Sequence, residues 1–260
     1  VKAGSKWEPI KTGLSLKSSD ELKVPMNAYI GLVHSSGKPL EIKEDGRYKI
    51  ADLAAKISGG TSVLNKYTDF ILSANTEKGN RLQATGAVHR GPGMIKVYLP
   101  TSENATVYEQ ELIISWETEK VKGPYRVAFN SMFGDELAKM ETNEGFVKVN
   151  LGDSKFKIED NIYVTVTSLS DATKASDRFI LKRLSKGDTE RIKTALAQIG
   201  PVTADQSALD YYYLAGFYES NMLFIDAITN YQKAIALQPD VYKDYFKEFL
   251  IRNGLIVIEK

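Results

Sequence analysis

The stretch Tyr211-Tyr212-Tyr213-Leu214-Ala215-Gly216-Phe217-Tyr218, followed by Ala227, Tyr231, Ala234 and Pro239, constrains this chain more than any other. Tyr211, Leu214, Ala215 and Tyr218 recur at i, i+3, i+4 and i+7, so they share one face of a helix. Ala227, Tyr231 and Ala234 repeat that spacing on a second helix. Small residues let two helices approach closely, aromatics fill the space between them, and Pro239 stops the second helix. The spacing predicts helices over Ser207–Ser220 and Ile225–Leu237, and a further one over Val241–Asn253 stopped by Gly254. Tyr212 and Glu219 lie two turns apart on another face, and are expected to point away from the packed one.

These residues and spacings resemble one tetratricopeptide unit. The resemblance implies a helical pair that binds other proteins and seldom performs chemistry. It also implies that Tyr212 and Glu219 are partner-binding residues, because the matching positions in that family line the concave binding surface. One clear unit falls short of the roughly three repeats a free-standing solenoid needs. The pair is therefore expected to lean on neighbouring helices or on the β regions.

Composition narrows the function further. Basic and acidic residues number 34 and 33, for a net charge of +1, which disfavours nucleic-acid binding through a bulk field. With no cysteine, disulfides, thiolate nucleophiles and zinc-thiolate or iron–sulfur sites are excluded. No apolar run approaches the roughly 18 residues of a membrane span. The chain begins at Val1, so a signal or anchor is expected outside it. The two histidines, His34 and His89, fall in a turn and a linker and are expected to be solvated. No nucleophile motif and no phosphate loop is present, and Gly59-Gly60-Thr61-Ser62 reads as a plain helix start. No enzyme activity, cofactor or metal is expected.

The remaining sequence gives a multidomain α+β chain. Residues 1–57 read as β: Ala28–Val33, a turn at Ser36-Gly37, Leu40–Ile42, a turn at Asp45-Gly46, then Tyr48, Ile50 and Leu53. With Trp7, Gly13-Leu14 and Asp20-Glu21-Leu22 upstream, this order resembles the small β domain of FecR-type proteins, which implies periplasmic signalling or envelope organisation. Residues 58–93 read as a helix over Ser62–Asn75 and a linker over Ala84–Gly93.

Residues 94–184 read as a β-sandwich, with strands at Met94–Leu99, Glu111–Trp116, Tyr125–Phe129, Phe146–Leu151, Ile162–Thr167 and Phe179–Leu184. Ile114-Ser115-Trp116, Pro124-Tyr125-Arg126-Val127 and Ile162-Tyr163-Val164-Thr165-Val166 resemble a fibronectin type III or related immunoglobulin-like domain, in which Trp116 and Tyr163 would be core aromatics. Residues 185–260 are the helical, tetratricopeptide-like region, opened by a helix that Asp188 can cap, with β-like Leu255–Ile258 at its end.

The expectation is a non-enzymatic protein-interaction or scaffold module of the bacterial cell envelope, in or facing the periplasm, with signalling implied by the FecR resemblance. A carbohydrate-binding or adhesive protein is the alternative, with Tyr108 and Phe133 as loop aromatics for a glycan. A hydrolase built on unmarked carboxylates would need two of them about 5 to 10 Å apart in a cleft.

Overall fold

The computed structural model describes residues 1–3, 6–11, 13–36, 38–57, 95–100, 102–199 and 206–256. Gly37, the expected helix over 62–75, the linker at 84–93, His89 and the end of the 255–258 segment lie outside the described residues. The chain is mixed α+β, with five α-helices and several sheets among those residues.

The first unit has strands β1 (Lys2–Ala3), β2 (Lys6–Trp7), β3 (Glu21–Val24), β4 (Ile30–Val33), β5 (Pro39–Ile42) and β6 (Gly46–Lys49). They form a sheet in the order β2-β1-β3-β6 and a separate β4–β5 ladder. Leu22, Val24, Ile42 and Leu53 make its small core. The expected β pattern does not continue through Ile50 and Leu53, because Ile50–Ala55 is helix α1. Three alanines and a leucine favour helix there, and the i, i+3 spacing turns Ile50 and Leu53 toward the same core.

The middle unit has β7 (Thr106–Val107), β8 (Glu111–Ser115), β9 (Tyr125–Asn130), β10 (Glu136–Thr142), β11 (Phe146–Asn150), β12 (Asn161–Ser168) and β13 (Phe179–Arg183). A five-stranded sheet, β10-β9-β12-β13-β7, and a two-stranded sheet, β11-β8, bury one shared cluster. Alternation sets the faces: Ile162, Val164 and Val166 are buried, and their neighbours face outward. This corrects the placement of Tyr163, which lies half-buried on the outer face with the Arg178 guanidinium 3.6 Å from its ring centre. The core aromatics are Trp116 and Tyr125, with ring centres 5.2 Å apart, together with Phe129 and Phe156.

The sequence reading has no strand where β10 stands. Glu-Leu-Ala-Lys-Met-Glu is a string of helix formers, yet a tight turn at 131–135 delivers it to the edge of β9, and pairing overrides propensity.

The helical unit has α2 (Lys186–Ile199), α3 (Ala208–Ser220), α4 (Phe224–Leu237) and α5 (Pro239–Arg252). The cap of α2 is Ser185 and not Asp188. The Ser185 hydroxyl accepts from the Asp188 backbone N–H at 3.1 Å and donates to the Asp188 carboxylate at 2.7 Å. Ser207 and Asp210 form a full capping box at the start of α3. Helix α3 is apolar nearly all round and buried nearly all round, as such a helix must be. Among the described residues no helix is long and apolar enough to cross a membrane.

The first unit meets the helices at the start of α3. Glu41 accepts the free backbone N–H of Leu209 at 2.7 Å and the Tyr29 hydroxyl at 2.6 Å, so a carboxylate sits where the helix carries partial positive charge. Burial works to raise the Glu41 pKa, but hydrogen bonds from Lys43, Tyr29 and Leu209 outweigh it and hold the carboxyl below its usual range. Gly31 lets β4 approach here, since a Cβ on it would lie 3.3 Å from a Leu209 methyl.

Candidate functional site

Three places can carry function: the face of α3 that holds Tyr212 and Glu219, the junction of α4 with the middle unit, and the loop end of the five-stranded sheet.

The sequence places Tyr212 and Glu219 on a common face, but that face is not open. Both residues are 6% exposed. The Tyr212 ring lies 5.8 Å from Tyr231, 5.2 Å from Tyr242 and 5.2 Å from Tyr245. Glu219 accepts from Arg252 Nε and Nη2 at 2.8 Å each, and from Asn253 Nδ2 at 2.7 Å. Helix α5 and the residue after it supply most of these partners. The expectation that both side chains point away from packing is therefore corrected: α5 folds over the face that would otherwise be the concave surface.

At the second place, α4 crosses β8 and the segment before it. Asp226, in the first turn of α4, is fully buried. It accepts the backbone N–H of Glu109 at 2.6 Å and of Tyr108 at 3.0 Å. Thr229 Oγ1 accepts the Ile113 N–H at 3.0 Å. Asn230 Nδ2 and Lys233 Nζ donate to the two Glu109 oxygens at 2.9 and 3.2 Å. Residues 226, 229, 230 and 233 follow the helical period, so one face of α4 is a polar stripe, buried at Asp226, Thr229 and Asn230 and half-buried at Lys233. Burial, with the Glu109 charge adding to it, pushes the Asp226 carboxyl up to about 8 although the backbone N–H groups of Glu109, Tyr108 and Asp226 itself pull the other way. Burial and the same two carboxyls raise the Tyr218 hydroxyl strongly. Two acids thus meet here, but in the packed seam between units and not in a cleft that a substrate could enter. The pattern was in the sequence as four polar residues at 3.6 spacing inside an apolar helix, and the sequence reading missed it.

The third place is built by two braced loops. Strand β9 ends at Asn130, which pairs with Tyr163 near the start of β12, so the 131–135 turn and the 151–160 loop lie at the same end of neighbouring strands. In the turn, the buried Ser131 accepts the N–H of Phe133 at 3.2 Å and of Asp135 at 3.1 Å, and Gly134 takes a φ of +95°. In the loop, Phe156 plugs the core 5.5 Å from Phe129. Arg183 clamps the backbone by donating to the carbonyls of Leu151, Phe156 and Glu159 at 2.7, 3.1 and 2.9 Å. These fixed backbones present Phe133 at 87% exposure, Ile158 at 86% and Met132 at 56%. Single exposed apolar residues are ordinary, but three on two pinned loops at one end of a sheet are not.

Phe133 is thus as exposed as the sequence suggests. Tyr108 is not: it is half-buried, its ring 6.2 Å from Tyr218, and burial raises its hydroxyl. It follows β7 at the opposite edge of the sheet from the β9–β10 tip. At least three strand spacings, roughly 15 Å, separate the two, so they cannot stack on one sugar ring. His34 Nδ1 is 2.8 Å from the Ser36 hydroxyl. Among the described residues no group of three or more His, Cys, Asp or Glu could hold a metal ion.

No protein-family profile and no curated protein matches the chain. Among solved structures it is similar to a complex of Porphyromonas gingivalis RgpB pro- and mature domains, at 16% identity and a TM-score of 0.25. That similarity covers 35% of this chain and 19% of the other.

Proposed function

We propose that this chain is a non-enzymatic protein-interaction or scaffold module of the bacterial cell envelope, located in or facing the periplasm and tied to signalling. The observation that carries the reading is the braced apolar end formed by Met132, Phe133 and Ile158. Fixing a loop before binding removes an entropy cost that the complex would otherwise bear. The FecR-like order of the first unit, the immunoglobulin-like strand order of the middle unit and the tetratricopeptide-like helix pair support the same class of function. In this reading the tetratricopeptide-like pair is a brace: α5 occupies its Tyr212–Glu219 face, and docking moves to the β unit.

The test is capture from an envelope extract of the source bacterium by the full chain and by Phe133→Ser/Ile158→Ser. Loss of a specific captured protein with an unchanged melting temperature is expected. Equal capture by both would overturn the assignment of this end. The adhesive alternative keeps Phe133 but not Tyr108, and glycan-array binding that depends on Phe133 would favour it.

A further inference from the structure

We propose that the outer face of the first sheet, with the loop after β2, docks on the headgroup surface of an anionic phospholipid membrane. The proposal goes beyond the interaction reading and does not use the Phe133 end. Directly paired residues point to the same side of a sheet. Lys2 pairs with Trp7 and with Glu21, and Glu21 pairs with Lys49. Lys23 pairs with Arg47 in the next outward row. Leu22 and Val24 are buried, so Glu21 and Lys23 face outward together with the residues paired to them. Four cations and a tryptophan therefore surround one acid on this face. The Arg47 guanidinium lies 5.7 Å from the Trp7 ring centre, and Trp7 is still 42% exposed. The 8–20 loop starts after Trp7 and ends before Glu21, the two partners of Lys2, so it closes at the Lys2 end of the sheet. Ile10 and Leu14 stand exposed on this loop, among the exposed Lys11 and Lys17, and Lys6 is exposed beside Trp7.

This charge is not matched within the unit. Residues 1–56 hold ten cations and seven acids. Of the acids, Asp20 is buried and accepts the Lys17 backbone N–H at 2.7 Å, and Glu41 is committed to Lys43, Tyr29 and Leu209. Glu44 and Asp45 belong to the turn beyond Arg47, at the other end of β6 from Lys49. Glu8, Glu21 and Asp52 remain. Among the described residues, none of the seven cations of this face and loop forms an ion pair. Unpaired ammonium and guanidinium groups select an anionic partner. The exposed aliphatics among them select a lipid surface over a soluble polyanion. A nucleic acid or an acidic glycan offers Ile10 and Leu14 no hydrocarbon, whereas the headgroup boundary does. Tryptophan prefers that boundary, and lysine stems lie along apolar surface while their ammonium groups reach the phosphates. Apolar insertion and attraction to anionic headgroups then add.

The experiment is sedimentation of the full chain with vesicles of phosphatidylcholine alone and of phosphatidylcholine mixed equally with phosphatidylglycerol. Binding to the mixed vesicles only, weakened by added salt, is expected. Trp116 is already buried, so a blue shift of tryptophan emission on binding reports Trp7. Lys23→Gln and Lys49→Gln should each weaken binding about fivefold. Trp7→Ser and Leu14→Ser should each weaken it several-fold, with a melting temperature near that of the parent. Lys193→Gln, which removes an exposed cation of α2, should leave binding unchanged, so that net charge alone does not account for the effect. Phe133→Ser/Ile158→Ser should also leave it unchanged, which separates failure here from failure of the capture reading. No binding to the mixed vesicles, equal binding to both kinds, or binding indifferent to Trp7→Ser and Leu14→Ser overturns the proposal. Tighter binding to heparin than to the mixed vesicles overturns it as well, and makes the face a site for an acidic glycan.

Discussion

Helix α4 is buried on two faces by opposite chemistry. One face, Ala227, Tyr231 and Ala234, meets α3 and α5 through small residues and stacked aromatics, with Tyr231 4.9 Å from Phe249 and 5.7 Å from Phe246. The other, Asp226, Thr229, Asn230 and Lys233, meets the middle unit through directed hydrogen bonds. The first face derives stability from area and shape and tolerates small shifts. The second adds little net stability while intact, but each of its groups is costly to leave unpaired. The aromatic face therefore holds the helices together, and the polar face fixes where they sit on the β unit.

The largest effect is expected on the aromatic face. Tyr231→Ala removes a buried ring and should cost about 3–5 kcal/mol. Tyr212→Ala should cost nearly as much, although a role as an exposed docking residue would leave stability unchanged. Denaturant midpoints for both decide this, and an unmoved midpoint for Tyr212→Ala would reopen the docking assignment.

Next comes the polar face. Asp226→Ala orphans the N–H groups of Tyr108 and Glu109 and should cost about 2–3 kcal/mol. If the two faces do different work, this variant should also loosen the seam, seen as faster amide exchange at Tyr108 and Glu109 than in Tyr231→Ala of matched stability. Equal exchange in the two variants would erase the distinction.

A subtler effect is pH dependence. The Asp226 pKa is raised from 3.8 to about 8 in the folded chain, so the fold holds a proton that the unfolded chain releases. Its contribution is fully present below about pH 4 and is lost as pH rises through about 8. The stability difference between the parent and Asp226→Asn should therefore fall across that window. A difference that rises with pH would mean that the backbone N–H groups hold the carboxylate ionised.

The smallest effect is at the apolar end. Phe133→Ala should change stability by no more than about 0.5 kcal/mol, since the ring touches little of its own chain. A larger loss would show that Phe133 packs within its own chain.

Apolar periodicity by itself placed α3, α4 and α5, because each needs a buried face that local spacing records. It likewise gave β9 and β12, where alternation is strict, and Phe133 was legible as an exposed loop aromatic. It could not give β10, whose residues favour helix and become strand only by being delivered to an edge. The immunoglobulin-like resemblance put Tyr163 in the core, but the register of β12 turns it outward. Tyr212 and Glu219 are the clearest case. Their helix face is legible in the sequence, but whether that face meets solvent or α5 depends on residues more than 20 positions away. Spacing encodes the faces of an element. Only the assembled structure decides which faces meet, because burial is a property of the pair and not of either member.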